Sequence, residues 1–106
     1  MNDRPMTEDS AHGSIVVTHD IGLHARPSVK LTKLAKSFTS AIELAASADG
    51  PWIDAKSITK VMKLKARRDT ELFFRATGAD SEAALAALLS LVSRDFDEDL
   101  THAADG

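Results

Sequence analysis

Apolar residues recur along this chain in two rhythms, and the switches between them mark out its elements. Residues 14–18 (SIVVT) are β-branched and predict a strand with Ile15 and Val17 facing inward. The turn His19-Asp20-Ile21-Gly22 follows. From about residue 25 to residue 37, Leu31, Leu34, Ala35 and Phe38 fall at i, i+3, i+4 and i+7, the spacing of one buried helical stripe. Arg26, Lys30 and Lys33 follow the same spacing on another face, and Pro27 sits in the first turn, where its missing N–H costs nothing. Residues 41–45 put Ile42 and Leu44 on one side, as a strand does. Asp49-Gly50-Pro51 is a turn, and residues 51–54 read as a short edge strand that tolerates the proline at its start. Residues 54–64 predict a short helix carrying Ile58, Val61 and Met62. Residues 70–77 alternate Leu72, Phe74 and Ala76 against Glu71, Phe73 and Arg75, again a strand. Asp80-Ser81-Glu82 offers two N-cap candidates, and Leu85, Leu88, Leu89, Val92 and Phe96 form the stripe of a last helix.

The order is βαββαβα. Amphipathic helices need an apolar surface to cover, and a small sheet can give one face to them and the other to water. The expectation is an α+β open-faced β-sandwich: a four-stranded, largely antiparallel sheet covered on one face by three helices. At 106 residues the chain has room for one domain. We place it at residues 14–97, between a flexible N-terminal arm of residues 1–13 and a flexible acidic tail of residues 98–106. No apolar run approaches the roughly 20 residues that span a bilayer. The polar start lacks the apolar core of a signal peptide, so the expected location is cytoplasmic, without membrane insertion.

Charge sharpens this picture more than bulk composition does. The net charge of -3 conceals a segregation. Between His24 and Ile42 there is no acid, against Arg26, Lys30, Lys33 and Lys36. Between Ala55 and Arg68 there is again none, against Lys56, Lys60, Lys63, Lys65, Arg67 and Arg68. Acids gather at the two ends: Asp3, Glu8 and Asp9, then Asp95, Asp97, Glu98, Asp99 and Asp105. If the basic windows meet in space they form one electropositive face, and an acidic protein partner or a phosphorylated donor would fit it. Nucleic acid fits poorly, because the chain is acidic overall and holds one Trp, four Phe and no Tyr for stacking. The absence of cysteine excludes disulfides, thiol catalysis and Cys-ligated zinc. The four histidines, His12, His19, His24 and His102, never pair at i, i+3 or i, i+4, so no metal site and no cofactor is expected. His12 and His102 read as tail residues, and His19 as turn surface.

The stretch Gly22-Leu23-His24-Ala25-Arg26-Pro27 carries the chemistry. It sets an imidazole at the mouth of a helix, where unpaired backbone N–H groups and the macrodipole attract an anion. A neutral imidazole can attack a phosphoryl group, and the planar guanidinium of Arg26 matches phosphate oxygens. The N–H groups of Ala25 and Arg26 spread the phosphoryl charge without bonding to it covalently. Such a site suits a reversible phosphohistidine better than hydrolysis.

That stretch, together with Asp54-Ala55-Lys56-Ser57-Ile58, resembles the HPr family, the histidine-containing phosphocarriers of the bacterial phosphoenolpyruvate:sugar phosphotransferase system. The similarity extends over about residues 14–97. It implies a carrier rather than a turnover enzyme: His24 accepts phosphate on Nδ1 from phosphorylated enzyme I and passes it to enzyme II A-type domains. Arg26 stabilises the phosphate. Ser57 matches a serine that a dedicated HPr kinase/phosphorylase can modify, lowering transfer through the histidine, although its position also suits a plain N-cap. The implied docking face takes in Ala25, Pro27, Lys30, Lys56, Ile58 and Lys60, with Ile58 and Lys60 beside the His24 loop, and the family suggests a monomer.

The chain departs from the family at several places. Ser28 stands where alanine is usual, Thr59 where a large apolar residue is common, and Lys63 and Lys65 add charge. Weaker apolar docking offset by charge implies short-lived, salt-sensitive complexes. Two alternatives to the sugar branch stay open. One is a regulatory relay of the nitrogen or dihydroxyacetone kinase type, and the other is a binding regulator controlled at Ser57.

Overall fold

Leu72, Phe74 and Ala76 are buried, whereas Glu71 and Thr77 at the strand ends are exposed, so the period-two pattern of the fourth strand holds residue by residue. A computed structural model of the chain describes residues 10–18, 25–94 and 96. Its elements are β1 (Ser10–Val16), α1 (Ala25–Lys36), β2 (Ala41–Ala45), β3 (Ile53–Asp54), α2 (Ile58–Leu64), β4 (Glu71–Thr77) and α3 (Ser81–Ser93). The four strands form one antiparallel sheet in the order β1-β4-β2-β3. The expected α+β open-faced sandwich is the fold observed. Among the described residues no helix is long and apolar enough to cross a membrane.

One core binds the helices to the sheet. It joins Ile42, Leu44, Leu72 and Phe74 to Leu31 and Ala35 of α1, Val61 of α2, and Ala84, Leu88 and Val92 of α3. The sheet's other face carries polar pairs. Glu43 and Arg75 are cross-strand neighbours, and Arg75 Nε donates to Glu43 Oε1 at 2.6 Å while its guanidinium lies 4.1 Å from the Trp52 ring centre.

Several boundaries differ from expectation. The first strand spans Ser10–Val16 rather than 14–18, so the last four residues of the expected arm belong to the sheet. With them β1 pairs along the full length of β4, from Ser10 opposite Thr77 to Val16 opposite Glu71. The inward positions there are Ala11 and Gly13, too small to register as a hydrophobic alternation. Gly13 is needed for packing: a Cβ would lie 3.0 Å from Leu89 and 3.4 Å from Leu85 of α3. Val17 leaves the strand ladder but stays fully buried, exchanging backbone hydrogen bonds with Thr70 and Asp69.

The expected helix over 54–64 starts only at Ile58. Asp54 pairs with Glu43 in β3, and its carboxylate accepts the Lys56 N–H at 2.9 Å, forming a turn instead. The edge strand shrinks to Ile53–Asp54, leaving Pro51 outside it. The buried face of α1 is Pro27, Ser28, Leu31, Thr32 and Ala35, with Leu34 and Phe38 only partly covered. Rotation of that face buries Ser28 Oγ and Thr32 Oγ1, neither of which has a hydrogen-bond partner among the described residues. In α3 the fully buried apolar positions are Ala84, Leu88, Leu91 and Val92, while Leu85 and Leu89 are half-buried under β1. Phe96 lies past the helix end, in a left-handed conformation (φ 59°), and is completely buried.

Candidate functional site

The helix mouth forms where the sequence places it. α1 opens at Ala25, directly after His24, and Pro27 occupies its first turn. The first four N–H groups of any helix lack intrahelical partners, so Ala25 and Arg26 present two donors there, at the positive end of the macrodipole. Ala25 and Arg26 are exposed. His24 itself, with Gly22, Leu23 and His19, lies outside the described residues, as do His102 and the acidic tail.

Behind the mouth, Arg26, Val29, Lys30 and Lys33 share one outward face of α1 by their spacing. Val29 is 46% exposed and Met62 on α2 is 40% exposed. Both were missed from the sequence, where Val29 falls off the apolar stripe and Met62 counts as part of one. They provide apolar contact area that Thr59, itself exposed, does not. α1 and α2 pack against each other, so the two basic windows occupy neighbouring helices, with Lys33, Lys60 and Lys63 exposed.

Ser57 is the N-cap of α2. Its backbone is extended (φ −107°, ψ 110°) and its Oγ accepts the Lys60 N–H at 3.3 Å. Two members of the expected docking face have other tasks. Pro27 is less than 2% exposed and belongs to the core, because the inward face of α1 begins at its first turn. Lys56 spends its ammonium on the Phe38 carbonyl at 2.8 Å, tying the entry to α2 to the chain just past α1. Lys30 and Ile58 are half-buried and Lys60 exposed, so these retain surface for a partner.

Asp80, an expected N-cap, makes no capping bond to α3. Its carboxylate instead accepts Ser40 Oγ–H at 2.5 Å and the N–H groups of Thr39 and Ser40 at 2.9 Å each. These bonds, that of the Ser40 side chain first and the Thr39 backbone next, hold its pKa down at about 2. Asp80 thereby clips the start of α3 to the loop that follows α1. Gly78 makes the clip possible, since a Cβ there would lie 2.6 Å from Ser40 Oγ.

An open-faced sandwich of this topology, with α1 opening directly after a histidine, sets the chain beside the small phosphocarriers to which it is similar. A family model described as "PTS HPr component phosphorylation site" matches residues 11–94. The phosphocarrier protein HPr of Cupriavidus necator is 40% identical over 82 residues, covering 77% of this chain and 90% of that protein. The phosphocarrier protein NPr of Escherichia coli K12 is 33% identical over 86 residues, covering 81% of this chain and 94% of that protein. Among solved structures, HPr from Thermoanaerobacter tengcongensis superimposes with a TM-score of 0.77 at 31% identity, covering 84% of this chain and 98% of that one. The chain belongs to the HPr family of phosphotransferase-system phosphocarriers.

Proposed function

We propose that His24 is the phosphoryl acceptor and that this chain relays phosphate from enzyme I to an enzyme II A-type domain. The supporting observation is the start of α1 at Ala25, directly after His24, within the span of the family match. The Nδ1 lone pair of a neutral His24 attacks the phosphorus of the donor phosphohistidine, and the donor nitrogen leaves with the bond's electron pair. The Ala25 and Arg26 N–H groups and the Arg26 guanidinium hold the transferred oxygens, so charge is stabilised without a second covalent bond. The reverse displacement by the acceptor regenerates neutral His24, which makes the chain a relay and not a turnover enzyme. Ala25, Val29, Lys30, Ile58 and Lys60 form the surface a partner meets, and the exposed cations favour salt-sensitive encounters.

A nitrogen-type relay is the second reading, supported by the similarity to NPr over 94% of that protein. Ser57 adds a control point: a phosphate there would keep the cap while placing negative charge on the partner-facing surface.

The test is incubation with phosphoenolpyruvate and enzyme I from the same organism. An acid-labile, base-stable phosphate should appear on the wild-type protein and be absent from His24→Ala. Equal labelling of both proteins would overturn the assignment. Separate incubation of the phosphorylated protein with sugar-type and nitrogen-type acceptors then distinguishes the two branches.

A further inference from the structure

β1 ends the sheet order β1-β4-β2-β3, so one of its two sides faces no other strand. The opposite edge of the sheet is blunted, because β3 is only two residues long. β1 runs for seven residues, Ser10–Val16, in unbroken register with β4. It contains no Lys, Arg, Asp, Glu or Pro. Long edges are normally protected by such residues or by a bulge, because a row of unpaired N–H and C=O groups templates another strand.

The ladder shows which groups face outward. Val17 donates its N–H to the Thr70 carbonyl at 2.8 Å, and its own carbonyl accepts the Asp69 N–H at 2.7 Å. Main-chain groups alternate sides along a strand, so Ala11, Gly13 and Ile15 bond toward β4, whereas Ser10, His12, Ser14 and Val16 point away from it. Among the described residues β1 pairs with β4 alone, which leaves those outward groups without a strand. We infer that this edge pairs with the same edge of a second copy of the chain, antiparallel, about a two-fold axis at Gly13.

A second copy fits this edge by register, charge and burial. With Gly13 opposite Gly13, Ser10 meets Val16, Ala11 meets Ile15 and His12 meets Ser14, so outward groups face outward groups along all seven residues. A slip by one residue would set them against groups already bonded to β4, and a slip by two would shorten the overlap. No like charges oppose each other, since the strand carries no Lys, Arg, Asp or Glu. Opposed residues also share a face, which puts the helices of both copies on one side of a continuous sheet. On that side Ile15, with Leu85 and Leu89 of α3, the helix packed on β1, forms a partly covered apolar margin. On the other side Val16 is 45% exposed. An edge this short buries less than the roughly 800 Å² per partner of a standard interface, so the dissociation constant is on the order of 0.1–1 mM. The chain is then monomeric when dilute. None of the residues proposed to meet a phosphotransfer partner lies in β1 or α3, so the pairing does not rest on the carrier reading.

Sedimentation equilibrium on the full-length protein, at concentrations bracketing that constant, should show an average mass rising toward the dimer. Amide hydrogen exchange should slow with concentration at His12 and Ser14, and be slow at Gly13 and Ile15 throughout. Two double variants that differ only at residue 10 test the register. Ser10→Lys/Val16→Lys sets lysines opposite each other at both ends of the paired strands, and Ser10→Asp/Val16→Lys sets opposite charges there. The second should associate roughly tenfold more tightly than the first, with the gap narrowed by salt. Thermal melts at low concentration check that each variant folds, and if one does not, the wild-type mass and exchange pattern decide. A mass that stays monomeric, slowing confined to residues outside β1 and α3, or equal association of two folded variants would overturn the proposal. No readout requires phosphotransfer, so failure of the carrier assignment remains distinguishable.

Discussion

Ser57→Ala and Ser57→Asp disturb the start of α2 in opposite ways, and the pair separates capping from charge. Ser57 Oγ accepts the Lys60 N–H at 3.3 Å, a long bond. Its loss in Ser57→Ala should fall toward the low end of N-cap costs, about 0.5–1 kcal/mol. For a domain of this size that is a drop in Tm of roughly 2–8 °C. Aspartate caps as well as serine and favours the positive end of the helix, so Ser57→Asp should melt close to wild type. The added charge is far from the helix mouth. Lys56 binds the Phe38 carbonyl beyond the C-terminal end of α1. The 12 residues of α1 span about 18 Å at ~1.5 Å each. Allowing for the reach of the lysine, Ser57 lies roughly 10–20 Å from the mouth. One charge at that range is worth about 0.2–0.4 kcal/mol in bulk water, and less with a Debye length of about 8 Å. With the effective dielectric of about 20 found near protein surfaces, and the same screening, the effect on the chemistry at His24 is still only about twofold. The proposed control through Ser57 would therefore act on docking. Stopped-flow transfer from phosphorylated enzyme I should show a higher apparent KM for Ser57→Asp, an unchanged limiting rate and relief of the effect by salt. Ser57→Ala should transfer normally. A lower limiting rate at unchanged KM in Ser57→Asp would refute the reasoning, as would a Tm loss in that variant equal to that of Ser57→Ala.

Three further outcomes follow from the scaffold. Ser28→Ala removes a fully buried hydroxyl without a partner among the described residues and improves helix propensity, so urea denaturation should show a gain of about 0.5–1.5 kcal/mol. Asp80→Asn should lower stability at neutral pH and flatten its acid dependence. The folded carboxylate titrates near 2, below its ordinary value of 3.8, so its contribution is full above about pH 4 and lost as pH falls through 2. Urea midpoints for Asp80→Asn that track wild type across that window would exclude the clip. Gly78→Ala combines a φ of 142° with a Cβ 2.6 Å from Ser40 Oγ, and thermal melts should show a loss of roughly 1–3 kcal/mol. A variant as stable as wild type would mean the Ser40 loop yields freely.

The alternation of β4 and the apolar residues of α1, α2 and α3 were legible because a buried strand face repeats every two residues and a buried helix face about every 3.6. The first four residues of β1 were not, since Ala11 and Gly13 are inward positions chosen for closeness to α3 and not for hydrophobicity. The late start of α2 was hidden too: Asp54 suits a helix cap, a turn or a strand end, and only its pairing with Glu43 decides. At the site, the motif from Gly22 to Pro27 predicts a helix start on local grounds, and α1 does open at Ala25, directly after His24. The exposure of the expected docking residues was only partly legible, since Pro27 is buried, Lys56 is committed to Phe38 and Val29 is exposed.

The sequence by itself determined what rests on short-range physics: element types, the start of α1 after His24 and the segregation of charge. Tertiary structure alone decided which polar groups are surface and which are fastening. Lys56, Asp80 and Arg75 each bond to residues at least 18 positions away in the chain. No local pattern encodes such partners, because they meet only once the core has brought the sheet and helices together.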